Sequence, residues 1–136
     1  MKIILIGVLF FVMVIGGATY YIYNKPHRDP SSEISIKISS EELFNSYEAN
    51  EAEANRLYLD KVVEVSGKIV EITFNQDQIP IIVLETADNF FGVRCTMKNL
   101  PLHSVVGETI TVTGICTGYL SDVIITNAIV NKKLNQ

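Results

Sequence analysis

Val63-Glu64-Val65-Ser66-Gly67-Lys68-Ile69-Val70-Glu71-Ile72-Thr73-Phe74 is the stretch that decides the architecture of this chain. Val63, Val65, Gly67 and Ile69 alternate with polar residues, the period of a strand with one buried face. Ile72 and Phe74 continue on the opposite parity. A slip of one residue inside a continuous strand implies a bulge, and Gly67 permits a sharp bend beside it. A strand of that kind serves both halves of a small barrel.

Four more strands are expected between Lys61 and Val130. Ile81 and Val83 mark the second. Phe91, Val93, Cys95 and Met97 mark the third, after a turn at Asp88-Asn89. A short connection from Leu100 to Gly107 contains Pro101. Ile110, Val112, Gly114 and Cys116 mark the fourth strand, and Val123, Ile125 and Ile129 or their alternates mark the fifth, after a turn from Gly118 to Asp122. Five short strands with a glycine-bent first member suit a closed barrel better than a sandwich. The expected fold is a mainly β, five-stranded OB-fold barrel. An SH3-like barrel is the alternative.

Ahead of the barrel, Ser39-x-x-Glu42 is a capping box that opens a helix, with Glu41 and Glu42 at its positive end. Leu43, Tyr47, Ala54 and Leu57 form one apolar stripe, flanked by Phe44 and Tyr58. Asn50 followed by Glu53 caps a second, kinked segment. Glu48, Glu51 and Glu53 lie on the opposite face, where solvation is the ordinary role of acidic residues. This helix is expected as a lid on the open end of the barrel.

Residues 24–38 contain Pro26, Pro30, Ser31 and Ser32 and read as an extended juxtamembrane linker. His27, beside Arg28 and Asp29, reads as a solvated residue of that linker. Residues 1–23 read as a transmembrane anchor. Ile3 to Tyr23 carries no charge, and at ~1.5 Å per residue it extends about 32 Å, enough for a hydrocarbon core of roughly 30 Å. The run exceeds the core of a cleaved signal peptide and lacks an A-x-A site. Tyr20, Tyr21 and Tyr23 sit where interfacial aromatics belong. Lys2 is nearly balanced by Lys25 and Arg28, so charge alone leaves the orientation open. The domain layout is therefore 1–23 anchor, 24–38 linker and 39–136 helix plus barrel.

The net charge is −4, and the anchor contributes only Lys2, so the remainder is more acidic still. Phosphate backbones are held chiefly by Lys and Arg, which makes nucleic acid an unfavoured partner on charge. Lys132 and Lys133 are too few to form a basic arm. Two cysteines and two histidines in no clustered spacing argue against a zinc cage. The glycines are isolated, so no phosphate-cradling loop exists, and no cofactor is expected. His103 beside Ser104 matches no catalytic arrangement. No enzyme is expected.

Cys95 and Cys116 both stand at inward parity. As free thiols they would act as small apolar core residues. As a disulfide in an oxidising compartment they would close a loop of roughly 20 residues, stabilising by about 3 kcal/mol. The disulfide is the pairing expected for an exported domain, and it motivates placing the barrel in the periplasm.

Several segments are familiar. Lys25-Pro26-His27-Arg28-Asp29, Tyr47-Glu48-Ala49-Asn50-Glu51, Val63-Glu64-Val65-Ser66-Gly67 and above all Cys116-Thr117-Gly118-Tyr119-Leu120-Ser121-Asp122-Val123 resemble the bacterial tRNA-anticodon-like OB-fold family of small membrane-anchored or exported proteins. The resemblance covers nearly the whole chain. It implies an OB barrel preceded by a helix, and it supplies no activity and no catalytic residues.

OB-folds bind across their second and third strands, between the loops joining strands 1–2 and 4–5. That surface is expected to hold Phe74, Asn75, Gln76, Asp77, Phe90, Arg94 and Tyr119, with Phe74, Phe90, Arg94 and Tyr119 as the ligand-binding candidates. Aromatics beside a cation are what base stacking requires. Asp77, Asp88 and Asp122 on the same surface oppose it. The function expected is a single-pass inner-membrane binding module facing the periplasm, holding a protein or small envelope ligand. The alternative is a single-stranded nucleic-acid-binding OB domain.

Overall fold

The structure, a computed structural model, describes residues 2–23, 34–101 and 103–134, without the side chains of 2–6, 8–10, 22 and 132–134. Helix α1 spans Lys2–Tyr23. Among the described residues no helix is long and apolar enough to cross a membrane. Residues 2–6, 8–10 and 22 of the expected anchor lie outside the described side chains. The expected linker, with His27, lies outside the described residues up to position 33. Its last residues form a strand, β1 (Ile36–Ser39).

Helix α2 (Ser40–Ala49) starts on the expected capping box. The Ser39 hydroxyl accepts from the Glu42 amide at 3.1 Å, and the Ser39 amide donates to Glu42 Oε2 at 3.3 Å. Helix α3 (Glu51–Tyr58) follows at once, and Asn50 is both the end of one helix and the cap of the next, accepting from the Glu53 amide at 3.1 Å. Leu43, Phe44, Tyr47 and Ala54 are buried. Leu57, on the same expected stripe, is half-buried.

The remaining strands are β2 (Val62–Phe74), β3 (Pro80–Leu84), β4 (Val93–Met97), β5 (Thr109–Leu120) and β6 (Asp122–Leu134). The second half of β2 pairs antiparallel with β3 and its first half with β5. β3 pairs antiparallel with β4, β4 runs parallel to β6, and β6 returns antiparallel to β5, which closes the ring. This is the five-stranded OB barrel. β1 lies outside it, parallel to Val63–Ser66 along the edge of β2 that β3 does not reach.

The parity slip in β2 is a register shift between Ile69 and Glu71. Gly67 lets α2 come close: a Cβ there would stand 2.5 Å from the Ser40 hydroxyl, which donates to the Glu85 carbonyl at 2.6 Å. A second slip puts Ala128 as well as Ile125 in the core of β6, with Asn127 at positive φ between them. The core joins the inward residues of all five barrel strands to Leu43, Phe44 and Tyr47 from the helix. α2 thus plugs the end of the barrel, as expected of a lid.

The cysteine expectation is corrected here. Cys95 and Cys116 are free and buried. Each is the register partner of Ile125, one on β4 and the other on β5, so β6 stands between them. Two strand spacings amount to roughly 9–10 Å, beyond the ~7 Å between Cα atoms that a disulfide can bridge.

Candidate functional site

Outward-facing residues of β2, β3, β4 and β6 alternate with the core rows. Ile72, Ile82, Cys95 and Ile125 form an inward row. Beside it, Glu71, Val83, Arg94 and Ile124 form one outward row, and Thr73, Ile81 and Thr96 another. These two rows are the floor of the face on which OB-folds bind. Its two ends are made differently.

At one end, the loop after β2 is organised by Asn75, whose Oδ1 accepts from the amides of Asp77 and Ile79, both at 2.9 Å. Asn75 is therefore a turn former. Gln78 takes positive φ in the same turn. Phe74, paired with Pro80, is left largely exposed there.

At the other end, residues 85–92 fold back over the outward row and bury Val83. Gly92 makes that approach possible, since a Cβ there would lie 2.5 Å from the Leu84 carbonyl oxygen. A cleft of about 390 Å³ opens between this loop and Val70, Glu71 and Val83. Asp88 Oδ1 accepts from the amides of Phe90 and Phe91 at 2.7 and 2.8 Å, and the Thr86 hydroxyl donates to the Phe91 carbonyl at 2.7 Å. Phe90 is 88% exposed on this pinned backbone. The loop is also tied to the start of β6, where Asp122 Oδ1 accepts from the Gly92 amide at 2.8 Å and Oδ2 accepts from Arg94 Nε at 2.9 Å.

The structure thus brings Phe90 and Arg94 to the same end of the face and leaves Phe74 at the other, with roughly 15 Å of strand between them. Arg94 is paired with Asp122, and Glu71, Glu85 and Asp88 line the cleft beside it. Tyr119 turns towards the helices. Its ring stacks on Tyr47 at 5.6 Å and meets Phe44 edge-on at 6.0 Å. Partial burial first, then the carboxylates of Glu48, Asp88, Glu51 and Asp122, hold its hydroxyl above the usual tyrosine range. Val83, Phe91 and Glu71 were missed as site residues. Glu71 and Val83 lie in strands, whereas Phe91, expected to open the third strand, lies before it in loop 85–92, whose return makes all three walls.

Behind the face, burial pushes the Cys95 thiol up, and the nearby Cys116 adds to it. Burial likewise raises Cys116 and Tyr47, whose sulfur and hydroxyl lie 3.3 Å apart. Such thiols are inert core groups. Among the described residues no cluster of three or more His, Cys, Asp or Glu is placed to hold a metal.

A candidate nucleic acid-binding lipoprotein from Klebsiella pneumoniae superposes with a TM-score of 0.51 at 21% identity, covering 79% of this chain and 100% of its own. The yeast Stn1 and Ten1 structure gives a TM-score of 0.46 at 15% identity over 74% of this chain and 65% of its own. No curated protein matches the chain. The tRNA_anti-like family model matches residues 1–130, and the chain belongs to that family, as an OB-fold barrel plugged by a preceding helix pair.

Proposed function

We propose that this chain is a membrane-tethered binding module that holds a protein or small envelope ligand on the outer face of β3 and β4, without transforming it. The observation that carries the reading is Phe90. Phe90, 88% in solvent, stands with the partly exposed Phe91 and Val70 as an apolar patch at the cleft, and hydrogen bonds to Asp88 and from Thr86 fix the loop that presents it. A pinned aromatic beside a cleft, with Arg94 held in place by Asp122, is a preorganised contact surface. It holds no convergent nucleophile, base and acid.

The tether is α1. Its described side chains Phe11 to Ile15 are all apolar and exposed, and the uncharged run Ile3–Tyr23 has the length of a bilayer core. With the disulfide gone as a ground, placing the barrel in the periplasm behind a single-pass inner-membrane anchor rests on the uncharged run of α1 and on the resemblance to membrane-anchored or exported proteins. A reporter fused after Gln136 checks this, and activity restricted to the cytoplasm would reverse the placement. For the ligand face, a photocrosslinker at Phe90 in intact membranes is expected to give one discrete adduct. The same probe at Glu41, on the helix pair, is expected to give none, and equal labelling from both positions would remove the assignment.

Single-stranded nucleic acid is kept as the second reading, favoured by the fold shared with the Klebsiella lipoprotein. Exposed Phe90 is a stacking surface with Arg94 as the cation at the same end of the face, and exposed Phe74 is a second one at the other end. The acidic composition is therefore not held as an exclusion. Salt-dependent binding of oligothymidine by the full chain, lost in Phe90→Ser, would select this reading.

A further inference from the structure

A second groove lies on another side of the barrel, between α3 and the β5–β6 hairpin. Glu51 and Asn55 of α3 and Leu59 at its end, spaced four residues apart, line one wall, and Tyr119, Leu120 and Ile124 line the other. The space between them is about 410 Å³. Beside it the Asp60 amide donates to the Cys116 carbonyl at 2.8 Å, and a Cβ added at Gly118 would lie 3.8 Å from Leu59.

Three features of this groove call for an occupant of one kind. Leu120 is 82% exposed at its lip, on a hairpin whose tip is tightened by Ser121 at positive φ. Asn55 Oδ1 is buried without a hydrogen-bond partner, an acceptor in want of a donor. No lining residue is cationic, while Glu51 lines the groove and Glu48, Asp88 and Asp122 add their fields at Tyr119. The basic residues nearest in sequence are engaged elsewhere, Arg56 Nε with Glu53 at 3.0 Å and Lys61 Nζ with the Arg56 carbonyl at 3.0 Å.

We infer that this groove docks a basic, apolar-alternating peptide segment of a partner protein. An arginine or lysine stem would lie on Tyr119 and Leu120, its head pairing with Glu51 and, once the Asn55 side chain turns outward, donating to its now-buried Oδ1, while an apolar neighbour covers Leu59 and Ile124. Charge complementarity selects this occupant over nucleic acid or an anionic lipid surface, both of which the carboxylates repel. The groove adjoins the outer face of β3 and β4 at Ile124, and shifts at 117–120 distinguish it from occupancy of that face.

The test is a titration of the isotope-labelled full chain in neutral detergent with acetyl-Arg-Leu-Arg-Leu-Arg-amide, read by amide chemical shifts. Saturable shifts are expected at the Asn55 side-chain amide and at residues 117–120. The peptide with glutamate in place of arginine is expected to produce none. Leu120→Ser and Asn55→Leu are each expected to weaken binding at least fivefold. Asn55→Leu should also keep or raise the melting temperature, since it removes the unpaired acceptor, so lost binding would not be lost folding. The inference is overturned by no saturation at millimolar peptide, by shifts confined to β3 and β4, or by equal binding of the acidic peptide. Shifts at 117–120 that grow with protein concentration alone would overturn it in favour of a second copy.

Discussion

Cys95 and Cys116 flank Ile125 in the barrel wall, both facing the core, each its register partner from opposite sides. Two thiols can share a face and a core and still be out of bonding reach when a strand stands between them. Cys116 has another neighbour instead, the Tyr47 hydroxyl of the plugging helix at 3.3 Å.

Both thiols are therefore expected to stay free even in protein exported to an oxidising compartment. Unfolding without reductant followed by alkylation should add two labels by mass spectrometry. A species two hydrogens lighter that resists alkylation would show a disulfide. In the folded protein labelling should be slow, because both sulfurs are buried.

Stability is expected to fall at alkaline pH. Burial raises Tyr47, Cys95 and Cys116 above their unfolded values, near 8.5 for a thiol and 10 for a phenol. The unfolded chain then releases protons that the folded chain retains. Their contribution is complete below about pH 8 and is lost as pH rises from there through the folded values, at about 1.4 kcal/mol per pH unit for each group ionised only when unfolded. Urea midpoints between pH 7 and 10.5 measure the slope, and Tyr47→Phe with Cys116→Ala should flatten it.

Asp122 is expected to matter more to the fold than its ion pair suggests. The Arg94 head is partly exposed, so the pair itself contributes about 0.5 kcal/mol after screening. The Gly92 amide is buried and loses its acceptor when Asp122 is truncated. Asp122→Ala should cost about 2 kcal/mol, and Asp122→Asn, which keeps a carbonyl there, about half as much. Denaturant midpoints of the three proteins decide it, and an equal cost for both variants would place the energy in the charge.

Gly114 lets β5 pass close to β6. An added Cβ would lie 2.5 Å from Ile125 Cγ2 and 2.9 Å from the Thr126 carbonyl oxygen. Gly114→Ala should cost about 2–3 kcal/mol, because backbone and core must both shift. Ser39→Ala, which removes only the cap of α2, should cost about 1 kcal/mol. Thermal unfolding ranks the two, and a milder effect at Gly114 would mean that the bulge opposite it relaxes.

What lay within reach of the linear sequence was local. Two-residue alternation marks five strands because the pleat sends successive side chains to opposite faces, and the slip after Ile69 marks the bulge that bends β2. Ser39 with Glu42, and Asn50 with Glu53, mark both helix starts because a cap reaches only two or three residues along the chain. Family membership was legible for the same reason, from the contiguous segment Cys116–Val123.

Neighbours across strands were decided only in three dimensions. Alternation assigns a face and says nothing of which strand lies alongside, so it could not separate Cys95 from Cys116 by β6 or lay Ile36–Ser39 along β2. It could not send Tyr119 to Tyr47 and away from Phe74, nor fold residues 85–92 over Val83. Those outcomes depend on how the sheet closes. Closure is a property of all the strands at once, because each register is settled by cores and hydrogen bonds made between residues far apart in sequence.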